Sequence, residues 1–302
     1  MKMSDTKKIN PLYQDIGADL NLGLLNSVDV IQTLWGGYGE LVRLTFLDKS
    51  VIVKHVKLPK PSQHPCGWNS DFSHQRKLHS YQVEVNWYQG FSTPSDERCR
   101  IPQGLKCFQT ENEWLIVMED LAEAGFGSTT TQANKNHLRA SLYWLANFHA
   151  RYMHTQSNLV WEVGTYWHLE TRLDELKVLK KSALKDFAQH IDDTLKRTCY
   201  QTLVHGDAKL ANFCFDDDGS HCAAVDFQYV GHGCGMKDVV LFMSSAVEPA
   251  SCAKMQEWRA LFAVAWADFQ RFIKGWSPNH YKINPCTESL TASALTYLRS
   301  KR

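Results

Sequence analysis

The stretch LVHGDAKLANFCF (residues 203–215) decides how the rest of the chain is interpreted. It contains Asp207, and Asn212 follows that aspartate by five positions. A short acidic turn then leads to a second apolar run, AAVDFQ (residues 223–228), which contains Asp226. Two short apolar runs joined by an Asp/Gly turn predict a β-hairpin. In a hairpin, the start of one strand and the end of its antiparallel partner lie at the same edge, so Asn212 and Asp226 are expected to meet there.

These side chains are the set that kinase-type phosphoryl transfer uses, in the order that it uses them. Asp207 is the candidate catalytic base, which would orient an acceptor hydroxyl and accept its proton, and His205 stands beside it as a further catalytic candidate. Asn212 and Asp226 are candidate Mg²⁺ ligands, because Mg²⁺ prefers hard oxygen ligands that it shares with substrate phosphates. Each acidic residue taken alone is also compatible with a solvated turn. The order and spacing of the set favour the catalytic interpretation.

A glycine-rich turn in the first part of the chain is a candidate phosphate-binding element. Apolar and polar residues alternate over residues 31–46 on both sides of Gly36, Gly37 and Gly39, which predicts a strand, a turn and a strand. Glycine lets a backbone approach phosphates closely and adopt positive φ. Most glycine turns only reverse the chain, and the position of this one ahead of a lysine-bearing strand favours the nucleotide-binding interpretation.

Lys54 and Glu84 are a candidate ion pair. Lys54 interrupts the apolar run of residues 50–56, where kinases place the lysine that holds the α- and β-phosphates. An exposed lysine at a strand edge is the alternative. Apolar and aromatic residues recur at helical spacing over residues 73–91, so Glu84 lies on a predicted helix. It is positioned to pair with Lys54, although a solvated glutamate fits the pattern too.

The predicted lobe boundary lies at the end of a predicted buried strand over residues 113–121, which is followed by a flexible acidic segment. We therefore predict an N-lobe over residues 1–121 and a C-lobe over residues 122–302. The backbone at the end of this strand could present donors and acceptors to an adenine edge, and its residues are Met118, Glu119, Asp120 and Leu121.

The C-lobe sequence is mostly helical in its pattern. Helical periodicity covers residues 132–154 and 174–195, and Asp238 is predicted as a helix N-cap or first-turn acid after a glycine-rich loop. A last helix is predicted over residues 253–275, with five aromatic residues on one stripe. That stripe is interpreted either as core packing or as part of an acceptor pocket.

Composition limits the classes of partner. The chain has 302 residues and a formal net charge of +1 with interspersed charges, so we expect no nucleic-acid footprint and no polybasic membrane anchor. No run approaches the roughly 20 apolar residues that a membrane span needs. Nine cysteines without Cys-x-x-Cys spacing favour a reducing, cytoplasmic compartment. The sequence does not indicate an oligomeric state.

The order of these motifs resembles the aminoglycoside phosphotransferase and choline kinase superfamily. The Asp-Phe-Gln form at Asp226 and the later Lys237–Asp238 pair are most similar to its ecdysteroid-kinase-like branch. The resemblance runs from about residue 34 to residue 242. It implies an α+β, two-lobed, protein-kinase-like fold with a small antiparallel-sheet N-lobe and a larger, mainly helical C-lobe, with ATP bound between them. By the same similarity Asp207 is the base, Asn212 and Asp226 bind Mg²⁺, Lys54 clamps the phosphates and Glu84 orients Lys54.

Four departures from kinase patterns bear on function. The glycine turn lacks the full protein-kinase pattern, and Gln228 replaces the glycine of Asp-Phe-Gly, which disfavours an activation-loop flip. Lys209 stands two positions after the candidate base, where a cation could steady the γ-phosphate in the transition state. The chain has no Ala-Pro-Glu after Asp226, so protein substrates are not expected.

The sequence therefore predicts ATP- and Mg²⁺-dependent phosphorylation of a hydroxyl on a small molecule. The near-zero net charge and an acid-poor final helix argue against a polycationic aminoglycoside. They fit better an apolar, sterol-like alcohol or a choline-like cation held by aromatic faces. The alternative function is a catalytically silent, nucleotide-binding, pseudokinase-like module.

Overall fold

The fold is taken from a computed structural model of the chain. It describes residues 10–47, 49–58, 71–91, 96–110, 113–247 and 283–300, together with single positions 267 and 279. The predicted aromatic helix over residues 253–275 lies outside these ranges, apart from residue 267.

The described residues contain both helices and short strands. The strands are β1 Leu25–Thr33, β2 Gly39–Phe46, β3 Ser50–Lys57, β4 Gly104–Gln109, β5 Glu113–Glu119, β6 Thr202–Val204, β7 Phe213–Phe215, β8 Cys222–Ala224 and β9 Gly231–Gly233. The helices are α1 Pro11–Asp19, α2 Asp71–Gly90, α3 Lys135–Arg151, α4 Leu173–Val178, α5 Ala183–Asp186, α6 Ala188–Lys196, α7 Met236–Ala246 and α8 Pro285–Ser300.

The first five strands form one antiparallel sheet in the order β1-β2-β3-β5-β4. This sheet followed by a mainly helical region confirms the predicted α+β architecture. The central strand β3 shows why Lys54 points inward: side chains alternate across a sheet, and Val51 and Val53 pack on the face that α1 covers. Ile52 and Val56, on the opposite face with Lys54, belong to the larger core beneath α2.

Helix α2 connects the sheet to the helical region through buried aromatic contacts. The ring of Trp87 stacks on that of Phe227 at a centroid distance of 4.6 Å, and both side chains are fully buried. Phe227 directly follows Asp226, so this stacking fixes the backbone beside the candidate metal ligand to the helix that carries Glu84. Aromatic pairs of this kind contribute on the order of 1 kcal/mol beyond their buried area.

The predicted hairpin around residues 213–225 is confirmed. Strand β7 pairs with β8 in antiparallel register, with Phe213 opposite Ala224 and Phe215 opposite Cys222. A second two-stranded sheet joins β6 to β9. Strand β9 and the start of α7 occupy the segment that was predicted as a glycine-rich loop.

The helix predicted over residues 174–195 is instead three short helices, α4, α5 and α6. Leu179 adopts extended backbone angles directly after α4 and ends that helix. The Lys185 ammonium donates hydrogen bonds to the carbonyl oxygens of Lys177 and Leu179, at 2.9 and 2.8 Å. Those carbonyls at the end of α4 thereby find a partner outside the helix, which stabilises the break.

The chain divides into two compact units, residues 1–246 and residues 247–302. The first unit holds the five-stranded sheet, the hairpin and helices α1 to α7, and the second holds α8. The lobe boundary at residue 121 falls inside the first unit and stays a prediction. No helix among the described residues is long and apolar enough to cross a membrane.

Candidate active site

The catalytic stretch folds so that its three candidate oxygen donors lie together. Asn212 ends a 3₁₀ turn directly before β7, and Asp226 follows β8 by two positions. The Val225 amide donates to the Asn212 carbonyl at 3.0 Å, which joins the two ends of the hairpin. The Asn212 side-chain amide donates to the backbone carbonyl of Asp207 at 2.8 Å and to its carboxylate at 3.1 Å. The hairpin edge therefore unites Asp207, Asn212 and Asp226 as the spacing predicted.

The Asp207 carboxylate has one engaged and one free oxygen. Lys209 Nζ lies 2.8 Å from Oδ2, whereas the buried Oδ1 has no hydrogen-bond partner among the described residues. Burial raises the pKa of Asp207, the Lys209 ammonium opposes that rise, and the negative charge of Asp226 adds to it. A carboxylate with a raised pKa and an unused oxygen is suited to accepting a proton.

Lys54 joins the sheet to both sides of the site. Its ammonium lies 2.7 Å from the Glu84 carboxylate and 2.8 Å from Asp226 Oδ1. Burial lowers the pKa of Lys54, but the carboxylates of Asp226 and Glu84 outweigh burial and raise it, so the lysine stays charged. The predicted pair between Lys54 and Glu84 is thus present in the structure, with Asp226 as an additional partner.

The carboxyl of Asp226 stays ionised. Burial raises its pKa, but the neighbouring Lys54 ammonium prevails and lowers it to about 2. The backbone of Asp226 is left-handed at φ +70°, a region in which non-glycine residues are strained by about 1–3 kcal/mol. Asn and Asp tolerate this region better than other residues. The candidate metal ligand Asp226 therefore has a strained backbone conformation.

His205 does not line the cavity that holds the other catalytic candidates, and its catalytic role stays a prediction. Its ring is fully buried, and Nδ1 accepts from the Asp207 amide at 3.2 Å. The proton is accordingly assigned to Nε2, which donates to the Val225 carbonyl at 3.0 Å. His205 therefore bridges the loop of Asp207 to the strand end before Asp226 and is placed to position both.

Asp238 holds the other side of the same loop. Its fully buried carboxylate accepts from the amides of His205 at 2.7 Å and Gly206 at 2.9 Å, and His149 Nε2 lies 2.9 Å away. Asp238 does lie in the first turn of α7, as predicted. Its carboxylate, however, serves the catalytic loop 33 residues earlier in the chain, which the sequence did not indicate.

The strand-end residues Met118, Glu119, Asp120 and Leu121 all line the cavity. Both acids are already engaged: Asp120 binds Arg43 and the Ser50 hydroxyl, and Glu119 pairs with Arg100. The Glu119 amide donates to the Gln103 carbonyl at 2.9 Å. Across the described ranges the Leu121 amide donates to no acceptor.

The three glycines of the predicted phosphate turn are not among the residues that line the cavity. Gly39 has φ +124°, and a Cβ added there would lie 2.0 Å from the His55 carbonyl oxygen, so its glycine is required by the pairing of β2 with β3. Gly36 and Gly37 have φ +71° and +75°, and a Cβ at Gly37 would meet nothing within 4 Å. Their backbone conformations need glycine, and phosphate binding by Gly36, Gly37 and Gly39 stays a prediction.

The cavity between the sheet and the helical region has a volume of about 760 Å³. Several lining residues were not singled out by the sequence: Arg76, Lys77, Tyr166, Arg172 and Tyr229. Lys77 precedes Glu84 by seven positions on α2, which is close to two helical turns and places both on one face. That spacing was a signal that could have identified Lys77; Tyr166 and Arg172 reach the cavity from segments far away in sequence.

The donor set fits a magnesium ion. Asp226 carries an ionised carboxylate of which only Oδ1 is bonded to Lys54, and the Asn212 amide donates through its nitrogen, leaving its oxygen available. These are hard oxygen donors beside a cavity that can hold phosphates, and Mg²⁺ is commonly bound by one or two such side chains plus substrate phosphates.

The family follows from comparison with known proteins. The model of the phosphotransferase enzyme family, APH, matches residues 93–274, which is more than half of the chain, and the chain belongs to this family. This match covers the hairpin, the catalytic loop and α7. No curated protein sequence matches the chain.

Solved structures with a similar fold are distant in sequence. A thermostable mutant of aminoglycoside phosphotransferase APH(4)-Ia, in a complex with ADP and hygromycin B, is 9% identical at a TM-score of 0.46, with 94% of this chain and 88% of that chain covered. An aminoglycoside-3'-phosphotransferase of type VIII is 11% identical at 0.47, with 94% and 99% covered. A putative fructosamine-3-kinase from Haemophilus somnus 129PT is 12% identical at 0.43, with 94% and 96% covered.

Proposed function

We propose that the protein is an ATP- and Mg²⁺-dependent kinase that phosphorylates a hydroxyl group of a small molecule. The observation that carries this proposal is the convergence of Lys54, Asp207, Asn212 and Asp226 on one cavity, with Asp207 Oδ1 unengaged. Membership of the phosphotransferase family supports the reaction class. The resemblance to the ecdysteroid-kinase-like branch and a cytoplasmic location belong to the same proposal.

Each residue has a defined task in this proposal. The Leu121 amide and the neighbouring backbone hold the adenine edge, and Lys54, oriented by Glu84, holds the α- and β-phosphates. Asn212 and Asp226 hold the metal through their free oxygens. Mg²⁺ supplies charge neutralisation at the phosphate oxygens when it is bound.

Asp207 acts on the acceptor. Its Oδ1 accepts a hydrogen bond from the acceptor hydroxyl and then its proton, while the hydroxyl oxygen forms a bond to the γ-phosphorus. The bond between that phosphorus and the β–γ bridging oxygen breaks, so ADP leaves and a phosphate monoester forms. Lys209, held by Asp207 Oδ2 at 2.8 Å and nearly half exposed, is placed to stabilise the developing charge on the γ-phosphate oxygens.

The test compares Asp207→Asn with the wild type in a coupled assay for ADP formation, across a panel of sterol alcohols, choline analogues and aminoglycosides. Loss of the general base lowers the turnover number about 10²–10⁴-fold. Binding of MgATP should be retained, because Asp207 is not assigned to the nucleotide.

The matched control is Asp217→Asn, an exposed aspartate in the turn of the same hairpin, which should keep full activity. Equal turnover in Asp207→Asn and the wild type would contradict the role of Asp207. MgATP binding without any turnover that depends on Asp207 would instead identify a silent nucleotide-binding module.

A further inference from the structure

The carboxylates that line the cavity each lie within ion-pair distance of a cation. Glu84 and Asp226 share Lys54, Asp120 pairs with Arg43, Glu119 with Arg100, and Asp207 with Lys209. Five acids therefore face four cations, which leaves a net charge of only −1 from these pairs to attract a cationic ligand.

Two cations on α2 lack such a partner. Arg76 and Lys77 both line the cavity, and neither lies within ion-pair distance of a carboxylate in the parts of the chain that the structure describes. Arg76 donates to the Thr171 carbonyl and to the Ser73 hydroxyl, and Lys77 donates to Gln228 Oε1 at 2.7 Å. All of these hydrogen-bond partners are neutral, so the carboxylates of the site act on Arg76 and Lys77 from beyond ion-pair distance.

A third cation, Arg172, is adjacent to Arg76. It donates to the Tyr166 carbonyl at 2.5 Å and to Glu175 at 2.9 Å, which uses only part of its guanidinium. Burial lowers the pKa of Arg76 and the charge of Arg172 lowers it further, which shows that the two guanidinium groups repel each other. We refer to Arg76, Lys77 and Arg172 as the cationic wall.

The cationic wall lies beside the catalytic groups. The pKa of Lys77 responds to Asp226 and Asp207, and that of Tyr229 responds to Arg172, Asp226 and Arg76. Tyr229 follows Asp226 by three positions and lines the same cavity. A molecule whose hydroxyl reaches Asp207 can therefore place a second group against the wall.

We propose that the acceptor is a hydroxyl compound that also carries an oxyanion, a carboxylate or a phosphate ester, and that Arg76 is the principal residue that binds it. This inference rests on the proposed kinase function. An oxyanion gives Arg76 the planar, charge-assisted partner that guanidinium binds best, and it relieves the repulsion within the wall. Choline-like and aminoglycoside acceptors bring positive charge to a wall in which Glu175, the partner of Arg172, is the one carboxylate within ion-pair distance among the described residues.

The experiment measures ADP formation with matched pairs of acceptors. Hydroxy acids, including sugar acids and hydroxysteroid acids, are compared with their methyl esters, and phosphate esters of diols with the parent diols. Choline and kanamycin serve as cationic acceptors. The two anionic arms distinguish a carboxylate from a phosphate ester.

The variants are Arg76→Gln and Arg76→Lys, with Lys57→Gln as the control. Lys57 lies at the end of β3, is half exposed and is not part of the cavity, so its variant removes one charge without altering the site. Arg76→Lys keeps the positive charge but loses the planar guanidinium group. It allows the role of Arg76 to be tested even if Arg76→Gln folds poorly.

The wild type should prefer an anionic acceptor to its neutral partner by about tenfold or more in kcat/KM. One charge-assisted contact is enough to give a tenfold preference. Arg76→Gln should raise KM for the anionic acceptor by about tenfold and leave KM for the ester and for MgATP unchanged. Arg76→Lys should give a smaller rise, and Lys57→Gln should give none.

Several results would overturn the inference. These are equal use of acids and esters, a preference for choline or kanamycin, no turnover of any anionic acceptor, or an effect of Arg76→Gln on all acceptors and on KM for MgATP alike. The last pattern would assign the wall to the nucleotide phosphates. Stabilisation of the wild type by MgATP, measured in parallel, shows whether the kinase proposal itself still stands when the acceptor class fails.

Discussion

Lys77 provides a quantitative test, because it is a partly buried cation that forms no ion pair with the described residues. Its ammonium donates to Gln228 Oε1 at 2.7 Å and lies 4.5 Å from the centroid of the Tyr81 ring. Burial, together with the charge of Lys54, lowers the pKa of Lys77 from 10.5 to about 8. We predict that Lys77→Met makes the dependence of folding stability on pH measurably weaker.

The sign follows from proton linkage. The folded pKa of Lys77 is lower than the unfolded one, so between pH 8 and pH 10.5 the unfolded chain binds more protons, and stability rises with pH. This contribution is fully present above pH 10.5 and is lost as the pH falls through 8. At about 1.36 kcal/mol per pH unit, it amounts to on the order of 3 kcal/mol. Water that enters the open cavity reduces this value, so about 2 kcal/mol is expected.

The assay is urea denaturation of the wild type and Lys77→Met at pH 7 and pH 10.5. Relative to the wild type, the variant should gain about 2 kcal/mol more at pH 7 than at pH 10.5. Loss of the hydrogen bond to Gln228 costs about 1 kcal/mol, but that cost is nearly the same at both pH values and cancels in the comparison.

The control for this prediction is Lys57→Met, because Lys57 is half exposed. Its effect on stability should be nearly the same at pH 7 and pH 10.5. If the difference between Lys77→Met and the wild type were also independent of pH, the lowered pKa of Lys77 would be refuted.

Two further predictions concern the loop and the glycine turn. In Asp238→Asn, an NH₂ group replaces one of the carboxylate oxygens that accept from the backbone amides of the catalytic loop, including that of His205. The variant should lose about 3 kcal/mol of folding stability in urea denaturation and have a lower turnover number. Full activity would contradict the positioning role of Asp238. Gly39→Ala should lower the folding stability by about 2–4 kcal/mol, because its methyl group would overlap the His55 carbonyl. Gly37→Ala has open space around it and should lower the stability by only about 1–2 kcal/mol. Equal losses of stability in the two variants would refute the close contact at Gly39.

The local parts of the site could be predicted from the sequence. The spacing of Asp207, Asn212 and Asp226 is tied to a short hairpin, and hairpin registers depend on neighbouring residues. Lys54 could be placed because alternation along a strand determines which face each side chain occupies. Glu84 followed from helical periodicity and from the order of the motifs.

Other parts could not be predicted because they depend on contacts between distant segments. The use of Asp238 by the amides of the catalytic loop joins residues 33 positions apart, and no local pattern records it. Its first-turn position was correct, but the destination of its carboxylate is a tertiary property. The left-handed backbone of Asp226 is likewise not indicated by any pattern in its local sequence.

The cationic wall shows the same limit for charge. Near-zero net charge gave no reason to expect a local excess of one sign. Arg76 and Arg172 are 96 positions apart in the sequence, and only the fold shows that both line one cavity. Composition therefore limits the classes of macromolecular partner, whereas the chemistry of a small ligand depends on which charges the fold brings together.

The most direct test of the proposed function is thermal unfolding of the wild type and Asp226→Asn with MgATP, and with ATP plus a chelator. A ligand at 100 times its dissociation constant stabilises by about 2.7 kcal/mol, and each kcal/mol moves Tm by about 2–4 °C for a chain of this size. We predict a rise of several degrees for the wild type with MgATP that is lost with the chelator and in Asp226→Asn. No rise in the folded wild type, or the same rise in the variant and without metal, would contradict a magnesium–nucleotide site at Asp226.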